Sequence, residues 1–509
     1  MTTVHLDGKS LTLQDVVNVA RKGYKVEIAP AAKEQIKECA ASVSEWVKEG
    51  RVVYGITTGF GDLASVVIPR DKGRQLQENL LLSHACGYGG EPYPEDVVRA
   101  IMLLRINTLT RGFSGISLET LQQMVDYLNL GIHPVVPTQG SVGASGDLCP
   151  LSHVAISLIG HGEVVYKGQK MSASEALAKV GMKPVELQPK EGLALNNGTT
   201  VMNAVAALCI VDAMNMMKNA DVAASMSAEA LHAVPYAFDR RTHDLRPQVG
   251  QGVVAENIRR LIEGSEIIEA FKKDRVQDAY SLRCLPQVHG ASRDAIGYVK
   301  EKVEIEINSV TDNPIIFKET MEGISGGNFH GQPMAMAMDF FGIAAAEFAS
   351  ISERRVARLV DHKLSDLPPF LVSDSGVNSG FMIPQYTAAA IVSENKVLAH
   401  PSVVDSIPTS ANQEDHVSMG GYSARKGRQI LDNTNRVIAV EMVNAAQGMD
   451  FRAPLKPGKG SGAAFKEFRK HVPFYEKDQF MQPLLLKSLE LVENGTVVKA
   501  VEEAIGELK

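Results

Sequence analysis

Apolar residues recur along most of this chain at three- and four-residue steps, the period of a helix with one buried face. Ile36, Ala40, Val43 and Val47 mark such a face between Ala32 and Val47. Phe341, Ala345, Phe348, Ser352, Val356 and Leu359 form a longer small-or-apolar stripe, with Glu353, Arg354 and Arg358 elsewhere around the helix. Thr199 to Leu231 is rich in Ala and Met and nearly free of charge, which predicts a helix buried among other helices. Around Val303 the alternation Val-Glu-Ile-Glu-Ile suggests a strand. Ile296, Val299, Val303 and Ile307 keep helical spacing, however, so the pattern predicts a helix stopped by Asp312-Asn313-Pro314.

Gly and Pro gather in loops at Tyr54 to Gly61, Gly87 to Pro94, Pro134 to Pro150, Gly323 to Pro333 and Lys456 to Gly462. With no internal repeat or flexible linker, the pattern predicts one mainly α-helical unit with functional loops. Composition narrows the class. Of 509 residues, 45% are hydrophobic and 22% charged, which excludes disorder and fibrous structure. A net charge of −7 lacks the footprint of a nucleic-acid binder, and the short basic cluster Arg354-Arg355 reads as a solvated or subunit-contacting face. Five scattered cysteines without a CxxC pair suggest neither a disulfide framework nor a metal site. The N-terminus lacks a basic-then-apolar signal, and the strongly apolar run Ala204 to Val211 falls far short of the ~20 residues of a membrane span. The expectation is a soluble cytoplasmic protein without membrane or nucleic-acid partners.

The segment Gly140-Ser-Val-Gly-Ala144-Ser145-Gly146-Asp-Leu-Cys-Pro-Leu151 carries the most chemistry. It is not a nucleophile elbow, which needs G-x-S-x-G after a strand. Ala-Ser-Gly permits another reaction. If the backbone bends sharply, the Gly146 nitrogen can attack the Ala144 carbonyl carbon and close a five-membered ring. Gly146 has no Cβ and tolerates the bend, and Ala144 adds little bulk. Loss of water from the ring and from the Ser145 side chain leaves a methylidene conjugated to a carbonyl, an electrophile that no unmodified side chain supplies.

With that loop, the chain resembles the aromatic amino acid ammonia-lyase family nearly end to end. The resemblance runs through Tyr54-Gly-Ile-Thr-Thr-Gly-Phe-Gly61, Ser83-His84-Ala85, Gly140 to Leu151 and Asn197-Gly198-Thr199. It continues in Gln277 to Gly290, Thr311-Asp-Asn-Pro314, Gly326 to Gly331 and Asn412-Gln-Glu414-Asp-His416. It implies 4-methylideneimidazol-5-one (MIO) made from Ala144-Ser145-Gly146. It also implies a fumarase/aspartase-like helical bundle with long central helices and active-site loops. On that reading residues 1–509 form a single functional unit, in which 1–195 carries the MIO loop and 196–509 supplies the bundle core and C-terminal helices. The assembly implied is a homotetramer whose sites combine loops from different subunits.

Elimination of ammonia from an α-amino acid needs a better leaving group and a base for a weakly acidic β-hydrogen. The resemblance assigns the base's neighbourhood to Tyr54, and proton handling or adduct stabilisation to Tyr280. Arg283 suits the substrate carboxylate, which guanidinium binds through two parallel hydrogen bonds. Tyr280 lies one helical turn before it. Asn197 and Gln277 resemble amide partners of MIO and substrate, and Phe329 would pack near them. Imidazole, unlike phenyl, wants hydrogen-bond partners at its nitrogens. His84, with an acid at Glu414 where relatives acting on phenylalanine or tyrosine carry glutamine, points to the histidine-specific branch. The implied reaction is L-histidine to trans-urocanate and ammonia, without metal, nucleotide or flavin.

Thr57, Asn196 and Thr200 depart from that branch's usual Asn, aliphatic residue and Gln, and bear on fine substrate preference. The alternatives are a phenylalanine or tyrosine ammonia-lyase, an aminomutase of the same family, or a non-catalytic helical oligomer. Gly458-Lys-Gly-Ser-Gly462 lacks Walker spacing. Glu414-Asp415-His416 has no second pair of ligands to make a metal site.

Overall fold

The computed structural model describes residues 2–509, and it is mostly helical. Four predicted helices form: Pro30–Glu49, Thr200–Ala230, Leu285–Glu306 and Gln332–Val360; the third ends at Glu306, short of the stop expected at Asp312-Asn313-Pro314. Ile296, Val299, Val303 and Ile307 are all buried, so helical spacing prevails over the local strand-like alternation around Val303. Phe341, Ala345, Phe348, Ser352, Val356 and Leu359 are likewise buried.

The chain folds as two compact units. One gathers the chain up to Val211 with Lys300–Asp339 and Pro401–Arg425; the other comprises Asp212–Val299, Phe340–His400 and Lys426–Lys509. Apart from the break between His400 and Pro401, their boundaries fall within the long helices Thr200–Ala230, Leu285–Glu306, Gln332–Val360 and Gly420–Asp450.

Among the described residues, every strand lies in the first unit. Thr3–Leu6 pairs in parallel with Lys25–Ile28, and Ile132–Pro134, Glu163–Tyr166 and Gln169–Ser172 form an antiparallel sheet. Ile315–Phe317 pairs with Glu322–Ile324 and packs through Ile316 against Cys39, Val43 and Trp46 of the Pro30–Glu49 helix. A buried ion pair joins Lys190 Nζ to Asp312 Oδ2 at 2.8 Å, and the fully buried Arg105 guanidinium donates to the Ala194 carbonyl.

In the second unit Ala349, Val356, Ala388, Val437 and Val440 form a core cluster. Beside it, Arg355 corrects the reading of Arg354-Arg355 as a solvated face. Arg354 is exposed, but Arg355 is fully buried and holds both oxygens of the equally buried Glu441, at 2.5 and 2.8 Å. Ser227 and Ser352 donate to the same carboxylate, at 2.7 and 2.6 Å, so every lone pair of the buried charge is engaged.

Two helices, Thr200–Ala230 and Gln332–Val360, are long and apolar enough to cross a membrane. In their most apolar windows 78% and 67% is buried within the molecule. Thr200–Ala230 also carries Asp221 and Glu229, whose carboxylates accept hydrogen bonds from His289, Arg293, Ser265 and Ser461.

Candidate active site

The Gly-rich loop after Ile132–Pro134 folds back on itself through local donors. The Ser141 hydroxyl donates to the Gly146 carbonyl at 3.2 Å and to Asp147 Oδ1 at 3.1 Å. Gly143 and Gly146 form an antiparallel bridge that leaves Ala144 and Ser145 half-buried at the tip of a tight turn. Both glycines are left-handed, with φ of +72° and +69°. A Cβ on Gly143 would sit 2.0 Å from Ser418 Oγ, and one on Gly146 would sit 2.1 Å from the Gly198 carbonyl oxygen. Neither position accepts a side chain.

Residues 197 and 198 hold the other side of the turn. The Gly198 N–H donates to the Ser145 carbonyl at 3.2 Å, and the Asp147 N–H donates to the Gly198 carbonyl at 2.7 Å. Asp147 itself is fully buried. It accepts from the Met202 N–H at 2.8 Å, in the first turn of the Thr200–Ala230 helix. Burial nevertheless pushes its carboxyl up to about 6. Asp147 stands in the Gly140 to Leu151 motif, which by itself implies no role for it. The signal was present: an acid between a reactive turn and the apolar run Leu-Cys-Pro-Leu.

The turn opens onto a cavity of about 810 Å³ lined by residues of the first unit. Ala144, Ser145 and Gly146 line it together with Tyr54, His84, Asn197 and Glu414. Tyr54 sits on a loop whose Thr58 bridges Val67, and its phenolic oxygen accepts a hydrogen bond from the Gly61 N–H at 3.1 Å. His84 ends the helix Gly73–His84, and its Nδ1 lies 3.0 Å from the Ser83 hydroxyl. Burial holds the imidazole below its usual range, so it is neutral near pH 7. Asn197 is buried, with Oδ1 unpartnered. Glu414 follows the left-handed residues Ser410, Ala411 and Asn412, and its Oε2 is also buried without a partner.

These features fit a ring built from the tripeptide. The turn is already compact, Gly146 lies where only glycine fits, and two residues with unsatisfied acceptors, Asn197 and Glu414, line the cavity beside it. A buried acceptor without a donor costs ~1–3 kcal/mol.

The other four predicted site residues do not line this cavity. Gln277, Tyr280 and Arg283 belong to the second unit. Tyr280 and Arg283 do share one short helix, with the guanidinium 4.6 Å over the phenol ring and its Nε donating to the Asp278 carbonyl. Gln277 is exposed, as is 69% of Tyr280. Phe329 is half-buried in the segment before the Gln332–Val360 helix. The three departures noted in the sequence also fall outside the lining. Thr57 accepts from the Val53 N–H and donates to the Arg51 carbonyl, which closes its own loop. Asn196 donates to Ser152 at 3.1 Å, but its Oδ1 and the Thr200 hydroxyl are buried without partners.

Residues 11–470 match the family described as aromatic amino acid lyase. The chain is 53% identical over 505 residues to histidine ammonia-lyase from Alkaliphilus oremlandii, covering 99% of each. Among solved structures it is similar to histidine ammonia-lyase from Trypanosoma cruzi: 40% identity, TM-score 0.92, 99% of this chain and 96% of that one. It is also similar to tyrosine aminomutase from Streptomyces globisporus, with 35% identity, TM-score 0.94 and full coverage of both chains.

Proposed function

The chain belongs to the aromatic amino acid lyase family, and from that premise we propose that it converts L-histidine to trans-urocanate and ammonia. The observation that carries the choice of substrate is the presence of His84 and Glu414 in the same cavity as Ala144-Ser145-Gly146. A relative named histidine ammonia-lyase at 53% identity over nearly the whole length supports the same choice.

We infer that Ala144, Ser145 and Gly146 condense into 4-methylideneimidazol-5-one, which supplies the electron-pair acceptor that the amine requires. The residues around it then have separable tasks. Glu414 Oε2, buried and free of partners, accepts an N–H from the substrate. His84, neutral and at a helix end, pairs with the second imidazole nitrogen. Asn197 lies against the turn and fixes the amino group's approach. Tyr54 takes the β-proton on its phenolic oxygen, whose direction is set by the Gly61 N–H. Arg283 binds the carboxylate; Tyr280, Gln277 and Phe329 complete the enclosure.

These last four residues are absent from the cavity lining, and a homotetramer with shared sites would supply them from other copies of the chain. Met336, Phe340 and Ile343 lie at helical spacing on Gln332–Val360 and are exposed, as an intersubunit face requires. The proposed location is the cytoplasm.

The test is incubation with L-histidine, L-phenylalanine and L-tyrosine, with chromatography of the products. Histidine should yield urocanate and ammonia in equal amounts. A β-amino acid product would instead identify an aminomutase, and silence with histidine would overturn the proposal. Independently, the peptide containing Ala144 to Gly146 should be two waters lighter than its residues imply, and Ser145→Ala should abolish both the deficit and turnover.

A further inference from the structure

Two thiols stand in the wall of the cavity, and none of the steps above uses them. Cys86 is exposed, two residues beyond His84, where the chain leaves the helix Gly73–His84. Cys149 is buried in the first turn of the helix Leu148–Leu158, three residues beyond Gly146. Both line the cavity. They are neighbours: the Cys86 backbone and thiol both act on the Cys149 thiol, while the Cys86 N–H donates to the His84 carbonyl at 2.9 Å. Gly140 records how closely the two segments approach. A Cβ there would lie 2.6 Å from Cys149 Sγ and 3.3 Å from the Cα of Gly87, the residue after Cys86. The backbone beside Cys86 is anchored, because the Gly87 N–H donates to His153 Nε2 at 3.0 Å, and Tyr88 and Gln139 exchange backbone hydrogen bonds at 2.9 and 2.8 Å.

We propose that Cys86 and Cys149 are a reversible disulfide site through which hydroperoxides of substrate size turn down substrate capture in the cavity. The order of events follows from accessibility. Cys86 is the exposed thiol of the two and the one a small molecule meets first. Burial pushes the Cys149 thiol up to about 11, which leaves it protonated and slow to react alone. The Cys86 sulfur, as thiolate, attacks one oxygen of the hydroperoxide. An S–O bond forms, the O–O bond breaks, and an alcohol (or water, from hydrogen peroxide) departs. The Cys149 sulfur then attacks the Cys86 sulfur: the S–S bond forms, the S–O bond breaks, and water leaves with the thiol proton. Two thiols lose two electrons in all, and the hydroperoxide gains them.

The bond ties the end of the helix bearing His84 to the segment that leaves Gly146. His84 can then no longer adjust to the imidazole, which weakens substrate capture before it alters the turn. This functional half rests on the reading of the cavity as the histidine site; the crosslink itself does not.

Trypsin cuts the chain into a peptide of residues 75–99, whose only cysteine is Cys86, and one of residues 112–167, whose only cysteine is Cys149. The second peptide also contains Ala144 to Gly146, so one non-reducing digest reads both the ring and the crosslink. After hydrogen peroxide treatment the two peptides should appear joined, two hydrogens lighter than their sum. The KM for histidine should rise severalfold with a smaller change in kcat, and dithiothreitol should reverse both effects. In Cys86→Ser the ratio of treated to untreated kcat/KM should stay at unity. Three outcomes would overturn the switch: peptides that stay separate, Cys86 driven to sulfinic acid without a partner, or a crosslinked protein with unchanged kcat/KM. A crosslink in protein that turns over no amino acid would uphold the disulfide and sink the substrate reading instead.

Discussion

Glu414 and His84 come from distant parts of the chain, and each leaves a different mark when changed. Glu414→Gln should keep the two-water deficit but lower kcat/KM for histidine at least tenfold, because a hydrogen bond to a charged group contributes about 1.5–3 kcal/mol. Steady-state kinetics beside the peptide mass separates the two effects. Asp147 makes a prediction in pH. Its folded carboxyl is raised to about 6 from the ordinary 3.8, so on acidification the folded protein binds that proton before the unfolded chain does. Its contribution to stability therefore grows as pH falls through 6 and is lost as pH rises, by roughly 3 kcal/mol in all. Asp147→Asn carries no such term. Urea denaturation from roughly pH 4 to pH 7 should show the variant gaining on the native protein as pH rises, then levelling off above pH 6. A difference that does not vary with pH would mean Asp147 is not the buried acid described. At this scale the sequence was partly legible. Motif strings picked out Tyr54, His84, Asn197 and Glu414, which the fold brings into one cavity with the turn. Asp147 escaped because burial, not residue type, makes it unusual. Thr57 drew notice for departing from a pattern, yet its hydroxyl serves its own loop.

Among the elements, periodicity reads Pro30–Glu49, Leu285–Glu306 and Gln332–Val360 because each carries a buried stripe, and lack of charge reads Thr200–Ala230; Gly420–Asp450 is not read from the sequence. The short strands escaped it. Thr3–Leu6 and Lys25–Ile28 are too brief to show alternation, and their partners are fixed by tertiary contact. The turn at 143–146 was legible for the opposite reason: its glycines are dictated by local space. Gly143→Ala would force a left-handed φ on a residue with a Cβ, costing about 1–2 kcal/mol before the contact with Ser418 Oγ is counted. A lower urea midpoint and a reduced fraction of the lightened peptide should accompany each other in that variant. A stable protein with a fully lightened peptide would show that the turn has slack.

For the whole molecule, stability and catalysis depend on different buried charges. Arg355→Met leaves Glu441 buried with two serine donors and no cation, which should cost about 3–5 kcal/mol by chemical denaturation. Replacing Arg355 and Glu441 together by apolar residues should restore much of the loss. The proposed sharing of sites between copies has its own test. Ser145→Ala and Arg283→Ala chains, each inactive alone, should regain part of the activity when co-expressed, because some mixed sites then hold both intact groups. No recovery would confine each site to one chain. The apolar stripes foretold buried helices but not which of their faces meet another copy. Gly198 has a consequence in time. Its carbonyl and N–H clasp the tripeptide from a position about fifty residues downstream, so a nascent chain still emerging from the ribosome lacks half of the clasp. On the proposed function, the reactive group would thereby be withheld until folding is well advanced, and unfinished or truncated chains would be spared an electrophile that captures the cell's free amines.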